Sequence, residues 1–590
     1  MRARALRSKS SWLAAGAHYI CVPHAQAYEG QDMWSWVVIP DSLSLQPSLE
    51  NFTYGRHHLV RELRQMGKNT LPKPFEDFPP RGFKGRVLRP GDTGYTEARQ
   101  IPNAKYGNEP ALIAQCLDAH DILLAVQYCD ARNEPIAIRS GGHAIDGHAM
   151  PQDAFVIDTT PMKRIEVDPR TGVTTIDAGV LLGEMDAETQ KHGYVVPSGT
   201  VSSTGAAGLT LGGGMGYLTR RFGMTVDCLL SVDVITVTGE RMTASKDENA
   251  ELFWGLCGAG HNLAIATSFT YQAKKVGPEV ISGLIIYPID QAVDVLTQLD
   301  KTMNDAPREL TIYPVALPAP PLPGLPEQMI GVPILVLIIV YTGAPARYEA
   351  AMTGVRSLGS PLADMVKPAS WLATNSILDV LAPPGRRQHC RGGYLAAITP
   401  EIASIMVQGV LTAPAATSPG PSVAVALPCL GGANFDYAED SKAYSRQDAN
   451  WMWEVLGMWD TPAKDAEFER WVDGMMKDMT PHSLPNGYVN LSIDRGPEWL
   501  RNLYGSTNKW RRICALKAAY DPRNLLRHNK NVARAQAPLA MFTFPGGISL
   551  RHIGWFICLL ALCRLSLYLQ PSWGLPLYLV KLPALNKRWL

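Results

Sequence analysis

The sequence predicts an α+β protein in two parts, and three observations carry that expectation. Between about 79 and 278, short apolar or alternating runs are separated by turn residues with helical stretches between them, a strand-rich texture. Beyond 279 the texture changes to Pro-rich loops such as 317–326, an unbroken apolar strand at 334–341 and helical patterns such as 463–479. The length of 590 residues, with 46% hydrophobic and 18% charged side chains, suits two large packed domains and excludes a disordered chain, a coiled coil or a collagen.

The elements follow in order. Residues 28–78 are punctuated by proline and lack periodicity, so 1–78 reads as an extension. A strand is expected at 111–117, a helix at 122–132 capped by Asp121, and a second strand at 135–140 (PIAIRS), which together make a βαβ-like unit. Phe155 to Asp158 is a third strand, and 164–168 and 173–178 flank the turn Pro169-Arg170-Thr171-Gly172 as a hairpin. Further strands are expected at 232–238 and 266–273. Near the end, 488–492 reads as a short strand, followed by helices at 497–504 and 509–520 that stop at Asp521-Pro522.

Composition narrows the chemistry. Fifty-five basic against 54 acidic side chains leave a formal charge of +1, which provides no broad positive field for a nucleic acid and makes a small molecule the expected partner. The 10 cysteines are scattered without a CxxC pair, so neither a metal site nor a disulfide scaffold is expected. Arg2, Arg4, Arg7 and Lys9, an apolar run at 12–22 and Ala25-Gln26-Ala27 have the outline of a secretory signal, which leaves localisation open between secreted and intracellular. Asn51 and Asn490 head glycosylation sequons that matter only after secretion. The apolar run at 553–563 ends at Arg564, and the next is broken by Pro571, Gly574 and Pro576. Both fall short of the ~20 residues of a spanning helix. The tail 533–590 is thus left as a marginal anchor, a packed terminal segment or a mispredicted gene end.

The informative stretch is 199–216, where seven of 18 residues are glycine and none is charged. Bare backbone lets several N–H groups converge on an anion, so a pyrophosphate cofactor suits it. No GxxxxGK[ST] is present, and Gly258-Ala259-Gly260 lacks the third glycine of a dinucleotide fingerprint, Leu263 standing there, so neither a P-loop nor a Rossmann NAD site is expected. Sixty residues upstream, Arg139-Ser140-Gly141-Gly142-His143 sets an imidazole at the lip of another glycine turn directly after a strand. An imidazole with a pKa near ~6.5 is largely neutral at pH 7 and is able to attack an electrophilic carbon.

Seven blocks carry a resemblance: PGDTGYTEAR (90–99), RSGGH (139–143), FVIDTTPM (155–162), LTLGGGMGYLTRRFGMTVD (209–227), ELFWGLCGAGHN (251–262), YVN (488–490) and YDPRN (520–524). From about 90 to 532 the sequence resembles the berberine bridge enzyme-like family of the vanillyl-alcohol oxidase/p-cresol methylhydroxylase superfamily, FAD-linked oxidases. The resemblance implies a two-part FAD-binding domain at 79–278, an antiparallel-sheet substrate domain covered by helices at 279–475, and a segment at 476–532 that returns to the FAD domain. It implies that His143 bonds covalently to the flavin 8α carbon, that Ser140, Gly141 and Gly142 cover the pyrophosphate, and that Gly208, Gly212, Gly213 and Gly214 extend the cradle. Arg139, Gly199, Val201, Thr204, Gly205, Asn262, Tyr488 and Asn490 complete the expected cofactor set, and Tyr488 is the expected base.

Departures from the family pattern shape the rest. Val201 stands where many relatives have a second flavin-linked cysteine, which implies a single covalent bond. Ile145 and Met215 replace a tyrosine pair of alcohol-oxidising relatives, and Asp146 and His148 are the substitute bases, weighed against a role as solvated loop charges. Ala264 replaces a glycine. Thr204 has the shape of the valine that admits oxygen in relatives, which favours dioxygen over another acceptor. The expected activity is hydride transfer from a small organic substrate to flavin N5, with hydrogen peroxide as product. A dehydrogenase with a different acceptor and a flavin-binding protein without a base are the alternatives. Trp451, Trp453 and Trp459 suggest a secondary-metabolite-like substrate, though tryptophans in such numbers also build cores.

Overall fold

Three or four apolar residues between turns are enough for a buried strand, and four such runs make the first sheet: β1 (Arg86–Leu88), β2 (Leu112–Gln115), β3 (Ile136–Arg139) and β4 (Phe155–Asp158), in the order β1-β2-β4-β3. β2 and β3 both run parallel to β4, and α1 (Ala119–Arg132) makes the crossover between them. The cap of α1 is Asp118, whose side chain accepts the amides of His120 and Asp121, in place of the expected Asp121. Asp121 is turned inward and buried, where it accepts the amides of Lys84 (2.8 Å) and Leu117 (3.0 Å). The computed structural model describes residues 75–322, 325–417, 421–491, 493 and 495–532, and the backbone of Ala17–Pro23 and Trp34–Pro40. Those last two strands pair antiparallel in a separate unit, Met1–Asp77. The rest of the expected signal segment, Asn51 and the apolar tail lie outside the described residues.

The second sheet holds β5 (Ile165–Val167), β6 (Val173–Asp177), β7 (Leu229–Ile235), β8 (Arg241–Ser245) and β9 (Ile265–Gln272), in the order β8-β7-β9-β6-β5. β5 and β6 form the expected hairpin. β7 ends three residues before the sequence expectation because 236–240 is a turn, closed by the Gly239 amide on the Thr236 carbonyl with Gly239 at φ 83°. The glycine stretch leads into α2 (Ala206–Leu211).

The eight-stranded third sheet contains β10 (Glu279–Pro288), β11 (Leu310–Pro318), β12 (Pro333–Tyr341), β13 (Ala363–Asp364), β14 (Lys367–Ser370), β15 (Arg387–Leu395), β16 (Val423–Ala426) and β17 (Trp451–Trp459). Its order is β13-β10-β12-β11-β16-β17-β15, with β14 on β10, and every pairing is antiparallel. The helices α3 (Ala292–Asp305), α4 (Pro400–Leu411) and α5 (Asp465–Met479) turn buried apolar residues onto one face. The other face looks toward the first half of the chain. The fold is α+β.

Alternation along β17 decides which side chains reach which face. Trp451, Trp453 and Val455 join the helix-covered core, whereas Met452, Glu454 and Leu456 look the opposite way. The tryptophans are therefore core, and each indole N–H is spent: Trp451 on Asp300 of α3 (2.7 Å), Trp453 on Ser483 (2.8 Å) and Trp459 on Asp465 (2.6 Å).

After the third sheet the chain returns. α6 (Thr507–Tyr520) ends in the buried pair Lys517–Asp521 at 2.6 Å, and Asp521 also accepts the amides of Leu525 and Leu526. The Leu525 carbonyl accepts the Ile136 amide at the head of β3. The expected strand at 488–492 is instead a 3-10 turn, Val489–Leu491, held by the side chains of Asn490 and Tyr488.

Candidate active site

The three regions meet in one cleft that encloses about 2000 Å³, open solvent included. Its first wall comes from two loops of the first half of the chain. The loop after β3 contributes Ser140, Gly141, Gly142, His143, Asp146 and His148, the loop before α2 contributes Gly199, Val201, Thr204 and Gly205, and the first turn of α2 contributes Gly208. These loops touch backbone to backbone: a Cβ on Gly141 would lie 2.2 Å from the Gly205 nitrogen, so only glycine permits the approach. A Cβ on Gly208 would meet nothing within 4 Å, which leaves its main chain bare toward the cleft. Ser140 spends its hydroxyl on the Ala178 carbonyl (2.7 Å) and thereby anchors its loop.

His143 stands at the rim of these loops with Nε2 3.0 Å from the Ser203 hydroxyl. Burial lowers its pKa to about 4, against an opposing hydrogen bond to the Ser203 backbone and the charge of Asp379, so the ring is neutral at pH 7. Asp379 reaches over from the third-sheet half and accepts the Ser202 amide (2.8 Å) and hydroxyl (2.6 Å), which pins the residue beside Ser203.

Asp146 is not a solvated loop charge, and His148, 33% exposed, is one of its partners. The Asp146 side chain is 6% exposed and sits 3.2 Å from Lys530 and 3.1 Å from His148. Burial works to raise its pKa, but Lys530 and His148 outweigh burial and hold the carboxyl below its usual range. A carboxylate so stabilised is a poor proton acceptor. His261, also on the lining, is pushed down to about 4 by burial and by Lys530.

Five expected cofactor contacts point elsewhere. Arg139 bonds the Ala98 carbonyl and pairs with Asp158 at 3.6 Å, beneath the first sheet. Asn262 is fully buried and clasps the returning segment through the Lys530 carbonyl (3.2 Å) and the Val532 amide (3.1 Å). Gly212 makes room for Asn490, whose Oδ1 would lie 2.0 Å from a Cβ there, and Gly214 makes room for Thr225 in the same way. Gly213, at φ 117°, lies between them and turns the chain. The triplet shapes the floor under Tyr488 and does not extend the bare cradle. Asn490 donates to the Leu209 carbonyl (2.9 Å) and the Tyr488 hydroxyl (2.9 Å), so this sequon residue is engaged inside the fold.

The second wall is apolar, with Met215, Tyr313, Val315, Ala424, Ala426, Met452 and Leu456 around one carboxyl, Glu454. Cys390 of β15 contacts it with Sγ 3.4 Å from Oε1. Burial raises the pKa of Glu454 and holds the Cys390 thiol well above its usual range. Tyr488 closes the floor. Burial pushes its pKa up to about 12, opposed by N–H groups of Asn490, Gly214 and Met215 aimed at its oxygen. Glu454, Cys390, Ser203, Asp379 and Lys530 escaped the sequence reading. A charge inside the apolar run WMWEVLGMW is the one signal that could have exposed Glu454.

Comparison with known proteins follows the same division. Residues 110–245 match the model of the FAD binding domain, and 487–533 match that of the berberine and berberine-like segment. This chain is an FAD-dependent oxidoreductase with a berberine-like segment. The oxidoreductase is 27% identical over 458 residues to an uncharacterised FAD-linked oxidoreductase of Bacillus subtilis (strain 168), covering 76% of this chain and 96% of the relative. It is 26% identical to (R)-6-hydroxynicotine oxidase of Paenarthrobacter nicotinovorans, over 77% of this chain and 97% of that one. Among solved structures, 6-hydroxy-D-nicotine oxidase from Arthrobacter nicotinovorans superposes with a TM-score of 0.68 at 23% identity, covering 77% of this chain and 98% of the other. A xylooligosaccharide oxidase from Myceliophthora thermophila gives 0.67 at 22%, covering 76% and 97%. The bare Gly141–Gly205 junction with a neutral imidazole at its rim fits FAD. Among the described residues no group of acidic, cysteine or histidine side chains could hold a metal ion, and no helix is long and apolar enough to cross a membrane.

Proposed function

We propose that the oxidoreductase is an oxygen-dependent oxidase of a small, largely apolar organic substrate, with FAD joined through a single covalent bond to His143. The observation that carries this reading is the sharing of one cleft by the neutral His143, the bare glycine loops and a wall with Glu454 and Tyr488 at its base. Bound there, FAD supplies a two-electron acceptor that dioxygen reoxidises to yield hydrogen peroxide.

The chain's own groups do the rest. Ser203 holds one ring nitrogen of His143 and leaves the other for the flavin. Ser140, Gly141, Gly142, Gly199, Gly205 and Gly208 offer main chain to the diphosphate. Glu454, whose pKa burial raises, takes the substrate proton. Tyr488, neutral at pH 7, presents its O–H to the substrate, a change from the base role expected of it. Val201 supplies no second tether. Thr204 on the lining, valine-like in outline, supports oxygen access, as do the oxidase relatives.

Acid precipitation tests the reading. The wild-type pellet stays yellow and the His143→Ala pellet is colourless; release of all flavin from the wild-type contradicts the covalent bond. Reduction without air followed by aeration restores the oxidised spectrum within seconds and forms peroxide; reoxidation over many minutes contradicts oxidase activity.

A further inference from the structure

The loop 199–205 is held from the third-sheet half at two points, both on the segment between β14 and β15. Asn375 donates to the Gly199 carbonyl (3.1 Å) and to Asp186 (2.7 Å), and Asp379 accepts the amide (2.8 Å) and hydroxyl (2.6 Å) of Ser202. Asn375 is buried at the end of the short helix Trp371–Asn375, and Asp379 lies in the 3-10 turn Ile377–Leu381, whose Leu378 and Leu381 line the cleft. The next residue of the loop, Ser203, meets the His143 ring with its hydroxyl 3.0 Å from Nε2. Its main chain accepts a ring N–H, and that bond and the charge of Asp379 both favour a proton on the imidazole. A proton on the nitrogen that faces Ser203 leaves the lone pair of the other, Nδ1, free. A ring that attacks a carbon through Nδ1 while Nε2 keeps its proton turns cationic, and a fixed carboxylate lowers the cost of that charge.

We infer that Asp379 is a positioning residue for the covalent tether: through Ser202 and Ser203 it fixes the His143 ring, and it offsets the positive charge that develops there as the bond to the flavin forms. The inference rests on the covalent reading of His143 and adds that the tether depends on the third-sheet half. In the step, the Nδ1 lone pair makes the bond to the 8α carbon, one proton leaves that carbon and another leaves Nε2. The two electrons released pass through the flavin ring to dioxygen, which takes up both protons as hydrogen peroxide.

The test mixes the full chain, produced under riboflavin limitation, with FAD in air and reads covalent incorporation from the flavin fluorescence of the denatured protein. Rates across a range of FAD concentrations separate the limiting rate from the half-saturating concentration. Asp379→Asn keeps an oxygen for the Ser202 amide and loses the charge. It lowers the limiting rate roughly ten-fold or more and leaves the half-saturating concentration within about two-fold, and Asp379→Glu recovers part of the rate. A wild-type limiting rate in Asp379→Asn overturns the inference, as does a raised half-saturating concentration at an unchanged limiting rate, the mark of a role in loop structure alone. Asp379→Ser, which also lacks the charge and offers the amide an oxygen, replaces Asp379→Asn should that variant not fold. Should the flavin-free chain not fold, the covalent share of the flavin in proteins harvested early in expression decides: a lower share in the variant supports the inference and an equal share overturns it. A wild type without covalent flavin brings down the covalent reading and this inference with it; a tethered wild type matched by its variant overturns this inference alone.

Discussion

The two walls of the cleft are made of different material. The wall beside His143 is main chain: Gly141 and Gly205 meet where no Cβ fits, and Gly208 leaves its backbone open. The opposite wall is side chain, set by the pleat of β11, β16 and β17, whose alternate residues reach the cleft. A backbone wall serves an invariant ligand, because amides are the same whatever the sequence. A side-chain wall is free to change its ligand by single substitutions. The cofactor side therefore tolerates almost no change and the substrate side tolerates much.

Gly141→Ala should break that contrast most severely. Its Cβ would fall 2.2 Å from a main-chain nitrogen that has no room to retreat, so more than ~3 kcal/mol of stability and all flavin binding should be lost. Thermal unfolding and the flavin-to-protein absorbance ratio measure both effects, whereas Ala424→Val on the other wall should keep the flavin.

Lys530→Met comes next. It strands the buried Asp146 carboxylate and should cost ~3 kcal/mol at pH 7 in denaturant unfolding. The sign with pH follows from the depressed Asp146 pKa. Its contribution is fully present above the unfolded value near ~4 and is lost as pH falls through the lower folded value. The gap between wild-type and variant should thus narrow on acidification below about pH 4; a gap that widens there contradicts the pairing.

Why the cofactor wall was legible and the substrate wall was not follows from these residues. Glycines at 141, 205 and 208 and the imidazole at 143 announce themselves, because few other sequences place bare backbone beside a strand end. Glu454 and Cys390 lie 64 positions apart and meet only because β15 pairs with β17, a register no local pattern reveals. The glycine triplet at 212–214 misled for a related reason, since glycine is also required wherever a side chain such as Asn490 must be admitted. Trp451 and Trp453, weighed as pocket or core, are core, because one step along a strand changes the face.

Trp451→Phe sharpens that last point with a smaller effect. Losing the indole bond to Asp300 should lower stability by ~1 kcal/mol and leave the substrate KM unchanged, while Met452→Ala beside it should alter KM. The smallest change expected is in Val201→Cys, which should leave stability within ~0.5 kcal/mol. It should provide a second tether, so that the double variant with His143→Ala keeps flavin in an acid-precipitated pellet.

Mass spectrometry of the tryptic digest tests the central claim most directly. Peptide 140–163, which contains both His143 and His148, should carry the mass of one FAD, with fragment ions that place it on His143 and none on His148. A yellow protein whose His143 peptide is unmodified, or whose flavin maps to another residue, would contradict the account.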